Sequence, residues 1–171
     1  MQQPLSFTFS DDGAVPNSSL PLLVYRAAVP ADPAAVEAIF AANDWPPAWR
    51  NGVYPFHHFH ANAHEVLGVA RGEVDVLFGG PGGQVLKMQA GDVVVIPAGV
   101  GHCNQGASSD LLIVGAYPAD APSPDLHKGE RADHDHLVRL IATVRLPSQD
   151  PVAGQTGPLA ALWAGPANPR S

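Results

Sequence analysis

Cationic residues are scarce in this sequence. Nine lysines and arginines stand against 16 aspartates and glutamates, which gives a formal net charge of −7 with histidine neutral. Binding to nucleic acid or to an anionic membrane surface needs a basic face that displaces counterions from phosphates. We therefore expect neither nucleic acid nor a membrane among the partners of this chain.

Cysteine and long apolar runs are also scarce. Cys103 is the single cysteine, so no disulfide can form within the chain, which is compatible with a reducing compartment. No stretch approaches the roughly 18 consecutive apolar residues of a membrane helix. Residues 1–12 lack the basic segment and apolar run of a secretion signal. These absences lead us to expect a cytoplasmic protein.

Glycine and proline, by contrast, are abundant, with 17 and 18 residues among 171. They indicate many turns and short elements, and so favour an all-β fold. The length fits one domain spanning 1–171. We expect its core at 52–106, strands and a helix within 1–47, and a helix and tail within 120–171.

Two segments have helical patterns. In residues 32–41, Asp32 suits the N-cap and Pro33 suits the first helical position. Residues 133–144 carry apolar side chains on one helical face, and the tail that follows should dock on the sheets. Short apolar runs between turn residues predict strands at 5–9, 20–28, 65–70, 74–78, 85–88, 93–96 and 111–117, with a hairpin turn at 79–83.

Four of the eight histidines lie between positions 57 and 64. On a strand the side-chain period is two, so His58 and His60 would point to the same face. Imidazole binds Zn, Fe, Ni, Cu and Co, and two imidazoles on one face begin a chelate. Glu65 could add a carboxylate, and His102 follows a later apolar run and turn.

The segment from Gly52 to Gly72, which contains His58, His60 and Glu65, resembles the first motif of the cupin family. Gly52, His58, His60, Glu65 and Gly72 stand at the spacings of that motif. Because five positions agree in order and spacing, the resemblance is specific.

A second segment is similar to the second cupin motif. Gly91, Pro97, Gly99 and His102 stand at its spacings. The chain departs from the pattern at Gly106, where the family has an asparagine. That asparagine is structural in the family, so the departure does not affect the expected metal site.

The resemblance implies a jelly-roll barrel, the double-stranded β-helix, with one or two peripheral helices here. It implies one divalent metal ion, Fe, Mn, Ni, Zn or Cu, held by His58, His60, Glu65 and His102. It also implies frequent dimerisation, so we expect a homodimer, to which strand 5–9 could add by pairing with a partner's sheet. It implies no single reaction, because one fold hosts many activities.

His64 is a rival for Glu65 as the fourth ligand. In that alternative Glu65 would hydrogen-bond an imidazole instead. His64 is also the candidate for acid–base catalysis. His57 should point away from His58, and the pair His134 and His136 falls on a predicted helix, where residues two apart lie about 200° apart. We interpret these as solvated side chains.

The remaining candidates concern the pocket. Phe56 and Asn104 could line it by period-two spacing, whereas Cys103 should be a buried thiol facing away. Trp49 and its neighbour Trp45 are interpreted as packing residues, and Arg50 as a remote candidate for binding a substrate carboxylate. Two hypotheses follow: a metal-dependent enzyme acting on a small molecule, such as a dioxygenase, decarboxylase or isomerase, or a module that binds or senses a small ligand without turnover.

Overall fold

The computed structural model of the chain describes residues 2–164. Within them the fold has nine strands and three α-helices. The strands are β1 (Leu5–Phe7), β2 (Leu22–Tyr25), β3 (Pro47–Asn51), β4 (Glu65–Arg71), β5 (Glu73–Phe78), β6 (Gln84–Gln89), β7 (Val93–Ile96), β8 (His102–Ala107) and β9 (Leu112–Ala116). The helices are α1 (Pro33–Ala42), α2 (His134–Ile141) and α3 (Leu159–Trp163).

The strands form two antiparallel sheets. The larger has six strands in the order β1-β2-β7-β4-β9-β3, and the smaller has three in the order β6-β5-β8. A core of side chains from both sheets lies between them, including Leu67, Val69, Val76, Phe78 and Met88. Residues 79–83 connect β5 to β6, as the predicted hairpin requires. The predicted all-β class with peripheral helices is confirmed.

The centre of the larger sheet is buried on both faces. Leu67 and Val94 belong to the core between the sheets, whereas Val66 and Val95 pack in a second cluster with residues of α1 and α3. A strand that is buried on both sides is apolar throughout rather than alternating. This explains why β7 is an unbroken run of Val and Ile.

Helix α1 forms as the sequence predicts. The Asp32 carboxylate accepts a hydrogen bond of 2.8 Å from the backbone N–H of Ala35, which caps the first turn. Val36 and Phe40 of α1 pack directly over Gly68 in β4, where a Cβ would lie 2.6 Å from Val36 Cγ1. Gly68 therefore allows the helix to approach the sheet closely.

Three local predictions need correction. Strands β3 and β8 were not expected, because the sequence of β8, HCNQGA, is polar and its order comes from pairing with β5. Residues 58–60 are not a regular strand: they make isolated bridges, His58 to His102 and Phe59 to His127. The second helix is shorter than predicted, since α2 ends at Ile141 rather than at residue 144, and a 3-10 turn, Arg131–Asp133, precedes it.

The C-terminal segment docks on the outer face of the larger sheet, as predicted. Leu159 and Trp163 of α3 are buried in the outer cluster. The end of the predicted tail, 165–171, lies outside the described residues, and the assignment of 1–171 to one domain stays a prediction. Across residues 2–164, no helix combines the length and apolar character needed to cross a bilayer.

Candidate metal centre

The candidate site is a cavity of about 600 Å³ on the inner side of the larger sheet. All four predicted metal ligands line it: His58, His60, Glu65 and His102. Their elements differ, because Glu65 opens β4, His102 opens β8, and the other two lie in the bridged segment that pairs with His102. The pairing of separate segments therefore brings the two sequence motifs together.

Each of the three histidines is oriented by a backbone carbonyl. The Nδ1 atoms of His58 and His102 donate to the carbonyls of Phe56, at 2.9 Å, and Val100, at 3.1 Å, and Nδ1 of His60 donates to the carbonyl of Asp125. A carbonyl only accepts hydrogen bonds, so Nδ1 carries the proton in each neutral ring. The Nε2 lone pairs are left available for a ligand or an ion.

Glu65 is buried, with 3% of its surface exposed. Its Oε1 accepts a hydrogen bond of 3.0 Å from the Tyr117 hydroxyl. Its Oε2 accepts none from residues 2–164, although this atom is buried. Oε2 lies 3.4 Å from Nε2 of His60 and 3.3 Å from Nε2 of His102. One carboxylate oxygen thus faces two imidazole nitrogens with no donor assigned between them.

Burial and neighbouring groups shift the pKa values of Glu65 and His60 in opposite directions. Burial raises the pKa of the Glu65 carboxyl, but the facing imidazoles of His102 and His60 outweigh burial and lower that pKa overall. Burial lowers the pKa of His60, and Glu65 outweighs it, so this pKa is raised. Burial and the neighbouring His102 lower the pKa of His58 to about 3. Glu65 is therefore ionised and His58 is neutral near neutral pH.

A divalent cation fits this donor set. The ligand atoms of His60, Glu65 and His102 all lie within 4.8 Å of one another. His58 is just outside that group, with its ring centroid 4.0 Å from that of His102 and 6.2 Å from that of His60. An ion among these atoms would provide the unpartnered Oε2 with a positive charge, and nitrogen and oxygen donors suit Fe, Mn, Ni, Zn or Cu.

Tyr117 orients Glu65 and was not singled out by the sequence. Its oxygen accepts a hydrogen bond of 3.1 Å from Trp49 Nε1, and its proton goes to Glu65 Oε1. Burial, followed by the charge of Glu65, raises the pKa of Tyr117, so the hydroxyl stays protonated. The strand register places Tyr117 beside Glu65. Leu67 of β4 pairs with Gly115 of the antiparallel β9, so two residues further along the pairing Glu65 lies opposite Tyr117.

The segment after β9 orients His60 and was interpreted from sequence only as a linker. Asp125 is its centre. The Asp125 carboxylate accepts a hydrogen bond of 2.7 Å from the backbone N–H of Ala61. The backbone N–H of Asp125 donates to Asn62 Oδ1 at 3.0 Å. The bridge between Phe59 and His127 adds two backbone hydrogen bonds. These bonds fix the carbonyl that receives the His60 proton.

His64 does not join the site, which corrects its candidacy as ligand and as catalytic residue. Neighbouring residues of a strand point to opposite faces, and Glu65 takes the cavity side. Nδ1 of His64 accepts a hydrogen bond of 2.9 Å from the backbone N–H of Ala98, and the ring packs 4.7 Å from that of Trp163. Burial lowers the pKa of His64 to about 4, so the ring is a neutral packing residue.

The two pocket candidates also lie elsewhere. Phe56 stacks on Tyr54 at 4.9 Å, and Tyr54 is the ring that lines the cavity. Asn104 is tied to its own turn, since Oδ1 accepts from the N–H of Gly106 at 2.7 Å. Both segments leave the regular strand alternation on which the prediction depended, because Phe56 precedes the bridged residues and β8 has an irregular register with β5.

Two further predictions concern charged or polar residues away from the cavity. Arg50 pairs with Glu37 of α1 at 2.6 Å, so it does not face the cavity. His134 is not simply solvated: its two ring nitrogens contact Asp11 and Asp135 at 2.8 and 3.0 Å. His136 is exposed, His57 does not line the cavity, and Cys103 is a buried free thiol.

Comparison with known proteins identifies the family. Residues 49–125 match the sequence model of the family described as Cupin. The chain is 38% identical over 159 residues to the uncharacterized protein YjlB of Bacillus subtilis (strain 168), covering 92% of this chain and 95% of that one. The chain belongs to the cupin family. Its two sheets are the double-stranded β-helix of a cupin.

Solved structures show weaker likeness to this cupin. A Bacillus subtilis oxalate decarboxylase is 17% identical with a TM-score of 0.36, covering 72% of this chain and 29% of that one. A Klebsiella pneumoniae protein with a double-stranded β-helix domain is 16% identical with a TM-score of 0.33, covering 74% and 80%. This cupin spans less than a third of the oxalate decarboxylase. Scores this low support no inference about activity.

Proposed function

We propose that this cupin binds one divalent metal ion through His58, His60, Glu65 and His102 and is a metal-dependent enzyme acting on a small molecule. One observation carries the metal site: the buried Oε2 of Glu65 accepts no hydrogen bond while it faces two imidazole nitrogens. Burying an ionised oxygen without a partner costs several kcal/mol, on the order of a charged group left unpaired. A bound cation removes that cost.

The residues around the ligands prepare them for binding. Backbone carbonyls fix the protons of three imidazoles at Nδ1, and the Tyr117 hydroxyl fixes the Glu65 carboxylate through Oε1. Such outer partners orient ligands and raise metal affinity. When bound, the ion would supply Lewis acidity or, if it is redox-active, one-electron chemistry beside the cavity.

The open cavity supports an enzyme more than a purely structural site. Four protein ligands leave coordination positions open on an octahedral ion, and about 600 Å³ lies beside them. A dioxygenase, decarboxylase or isomerase reaction would use these open positions. Ligand binding or sensing without turnover would use them too, and detecting a product formed by the metal-loaded chain decides between the two.

The test of the metal site is elemental analysis of protein purified without an affinity tag. We expect about one divalent ion per chain, and at least about a tenfold lower content in His60→Ala and in His102→Ala, the scale of losing a shell interaction. His136→Ala is the matched control, because this exposed histidine also stands in an H-x-H sequence. Full metal content in both ligand variants would overturn the proposal.

We also propose a homodimer and a small-molecule partner. Among the described residues, strand β1 is at the edge of the larger sheet and pairs on one side, with β2, and Leu5 is 47% exposed there. Such an edge can pair with a second copy. Light scattering at micromolar concentration that shows a monomer of 17.8 kDa would contradict the dimer. The cytoplasmic location stays a prediction.

A further inference from the structure

We propose that the small molecule of this cavity carries an aromatic or comparable apolar ring and no more than one negative charge, and that ring contacts rather than a basic side chain hold it. The inference rests on the proposed metal site, which would bind the polar end of the molecule. It is carried by the residues that form the walls between the metal ligands and the mouth.

The walls are apolar and partly aromatic. Trp49, Tyr54, Leu67 and Leu126 all line the cavity beside the histidines. Tyr54 and Leu126 are 53% and 46% exposed, so two large apolar side chains stand in water at the mouth. Covering such surface is favourable, and sites for small molecules are typically lined in this way.

Trp49 is held as a rigid wall. Its indole packs so closely on Gly115 that a Cβ there would lie 2.1 Å from Trp49 Cε2. Its Nε1 donates to Tyr117, which in turn donates to Glu65. The ring therefore cannot turn without breaking a bond that leads to the metal ligands. A fixed flat surface of this kind loses little entropy when a planar ligand binds.

The charges on the wall disfavour a multiply charged anion. Among the described residues, the Asp and Glu side chains that line the cavity are Glu65 and Asp125, and the nearby basic groups are engaged elsewhere. Arg50 donates twice to Glu37, at 2.6 and 2.8 Å. The Lys128 ammonium lies 4.6 Å from the centroid of Phe56, which is outside the wall. A dicarboxylate would find one metal ion, the Glu65 carboxylate, and Asp125 in contact with His127 Nε2 at 3.0 Å, with no Lys or Arg among the described lining residues.

Three small ligands distinguish the contribution of an aromatic ring to binding from that of negative charge. Benzohydroxamate and acetohydroxamate share one metal-binding group and differ in the ring, whereas oxalate is small and doubly charged. We expect calorimetric titration of the protein as purified to show benzohydroxamate binding at least about tenfold more tightly than acetohydroxamate, with oxalate the weakest. Equal affinities for the two hydroxamates, or tightest binding of oxalate, would overturn the inference.

Two variants test the walls themselves. Tyr54→Ala should remove most of the benzohydroxamate preference, whereas Val85→Ala should leave it unchanged, since Val85 is 51% exposed on β6 away from the cavity. Leu126→Arg adds a basic group at the mouth and should raise oxalate affinity by about threefold. No gain with Leu126→Arg would contradict the role assigned to charge.

Metal content measured before and after each titration distinguishes failure of the proposed metal site from failure of the inference about the ring. A chain without metal overturns the proposed function and this inference together. A chain that keeps its metal and shows no ring preference overturns the inference alone.

Discussion

Two carboxylates, Glu65 and Asp150, are buried to the same degree, with 3% and 2% of their surfaces exposed, yet their surroundings differ. Asp150 accepts four hydrogen bonds, two on each oxygen. Glu65 accepts one, on Oε1. The four donors to Asp150 are the backbone N–H groups of Val152, Ala153 and Leu159 and the hydroxyl of Tyr25.

Hydrogen-bond satisfaction, rather than burial, therefore separates a structural carboxylate from a binding one. Asp150 ties the larger sheet, through Tyr25, to the start of α3, and it needs nothing further. Glu65 keeps an oxygen that the protein leaves without a donor. Buried polar groups are normally paired. Among the described residues, Nδ1 of His57 and Nε2 of His64 are also buried without a partner, but Oε2 is the carboxylate oxygen of the three and faces two ligand nitrogens. This combination indicates a group that is completed from outside the chain.

The largest effect should follow from Asp150→Ala. This change leaves the buried N–H of Leu159, the buried hydroxyl of Tyr25 and the half-buried N–H groups of Val152 and Ala153 without their acceptor. Each buried donor left unsatisfied costs about 1–3 kcal/mol. We expect the free energy of unfolding to fall by about 3 kcal/mol or more, measured in urea. The folded fraction should keep its metal. A loss under about 1 kcal/mol would contradict the structural role of this residue.

Glu65→Gln should have the opposite effect, with a large loss of metal affinity and a smaller change in stability. It removes the negative charge at the metal, so metal affinity should fall by about a hundredfold, the upper end of what outer partners alone produce. The unfolding free energy of the metal-free protein should change less than in Asp150→Ala. His64→Gln is the control, with affinity expected within about threefold of the parent. A greater loss in His64→Gln would mean that the wrong neighbour has been assigned as ligand.

A pair of tyrosine variants sharpens the comparison. Tyr117→Phe and Tyr25→Phe each remove one hydroxyl that donates to one of these carboxylates. We expect Tyr117→Phe to lower metal affinity by about tenfold, and Tyr25→Phe to lower stability by about 1–2 kcal/mol without affecting metal. Metal titration and urea unfolding of both proteins measure the two effects. Equal changes in metal affinity in the two variants would contradict the different roles assigned to Glu65 and Asp150.

The smallest effect concerns carboxylates at the surface. Hydrogen bonds to Asp135 and Asp11 raise the pKa of His134. A histidine with a raised folded-state pKa contributes stability below its unfolded pKa of about 6.5 and loses it as the pH rises through the folded value. His134→Gln should therefore lower the Tm more at about pH 5.5 than at about pH 9, with His136→Gln as control. An equal difference at both pH values would contradict this.

The sequence predicted Glu65 and did not predict Asp150, for a physical reason. Glu65 belongs to a motif whose spacing fixes which residue faces the cavity, and it stands in a strand of apolar residues. Asp150 lies in a segment rich in Gly and Pro, and its partner Tyr25 is 125 residues away. Local patterns do not encode such a contact, so only the folded chain reveals it.

The same limit separates the predicted parts of the fold from the missed ones. Helix α1 was predicted because Asp32 and Pro33 act within one turn. Strand β8 was missed because its polar residues are ordered by pairing with β5. His64 stayed open as a rival of Glu65 because Val66 and Leu67 are both apolar and buried, so hydrophobicity does not fix the register. The motif spacing set that register in favour of Glu65.

The backbone carbonyl of Asp125 has a consequence for the order in which the chain is made. The four ligands are complete once residue 102 has been synthesised, but the groups that aim His60 and Glu65 come later, at Asp125 and Tyr117. A nascent chain that ends between these points holds all the donor atoms without their orientation. The proposed selection of an ion would therefore mature only after the barrel strands and the segment that follows them have been made.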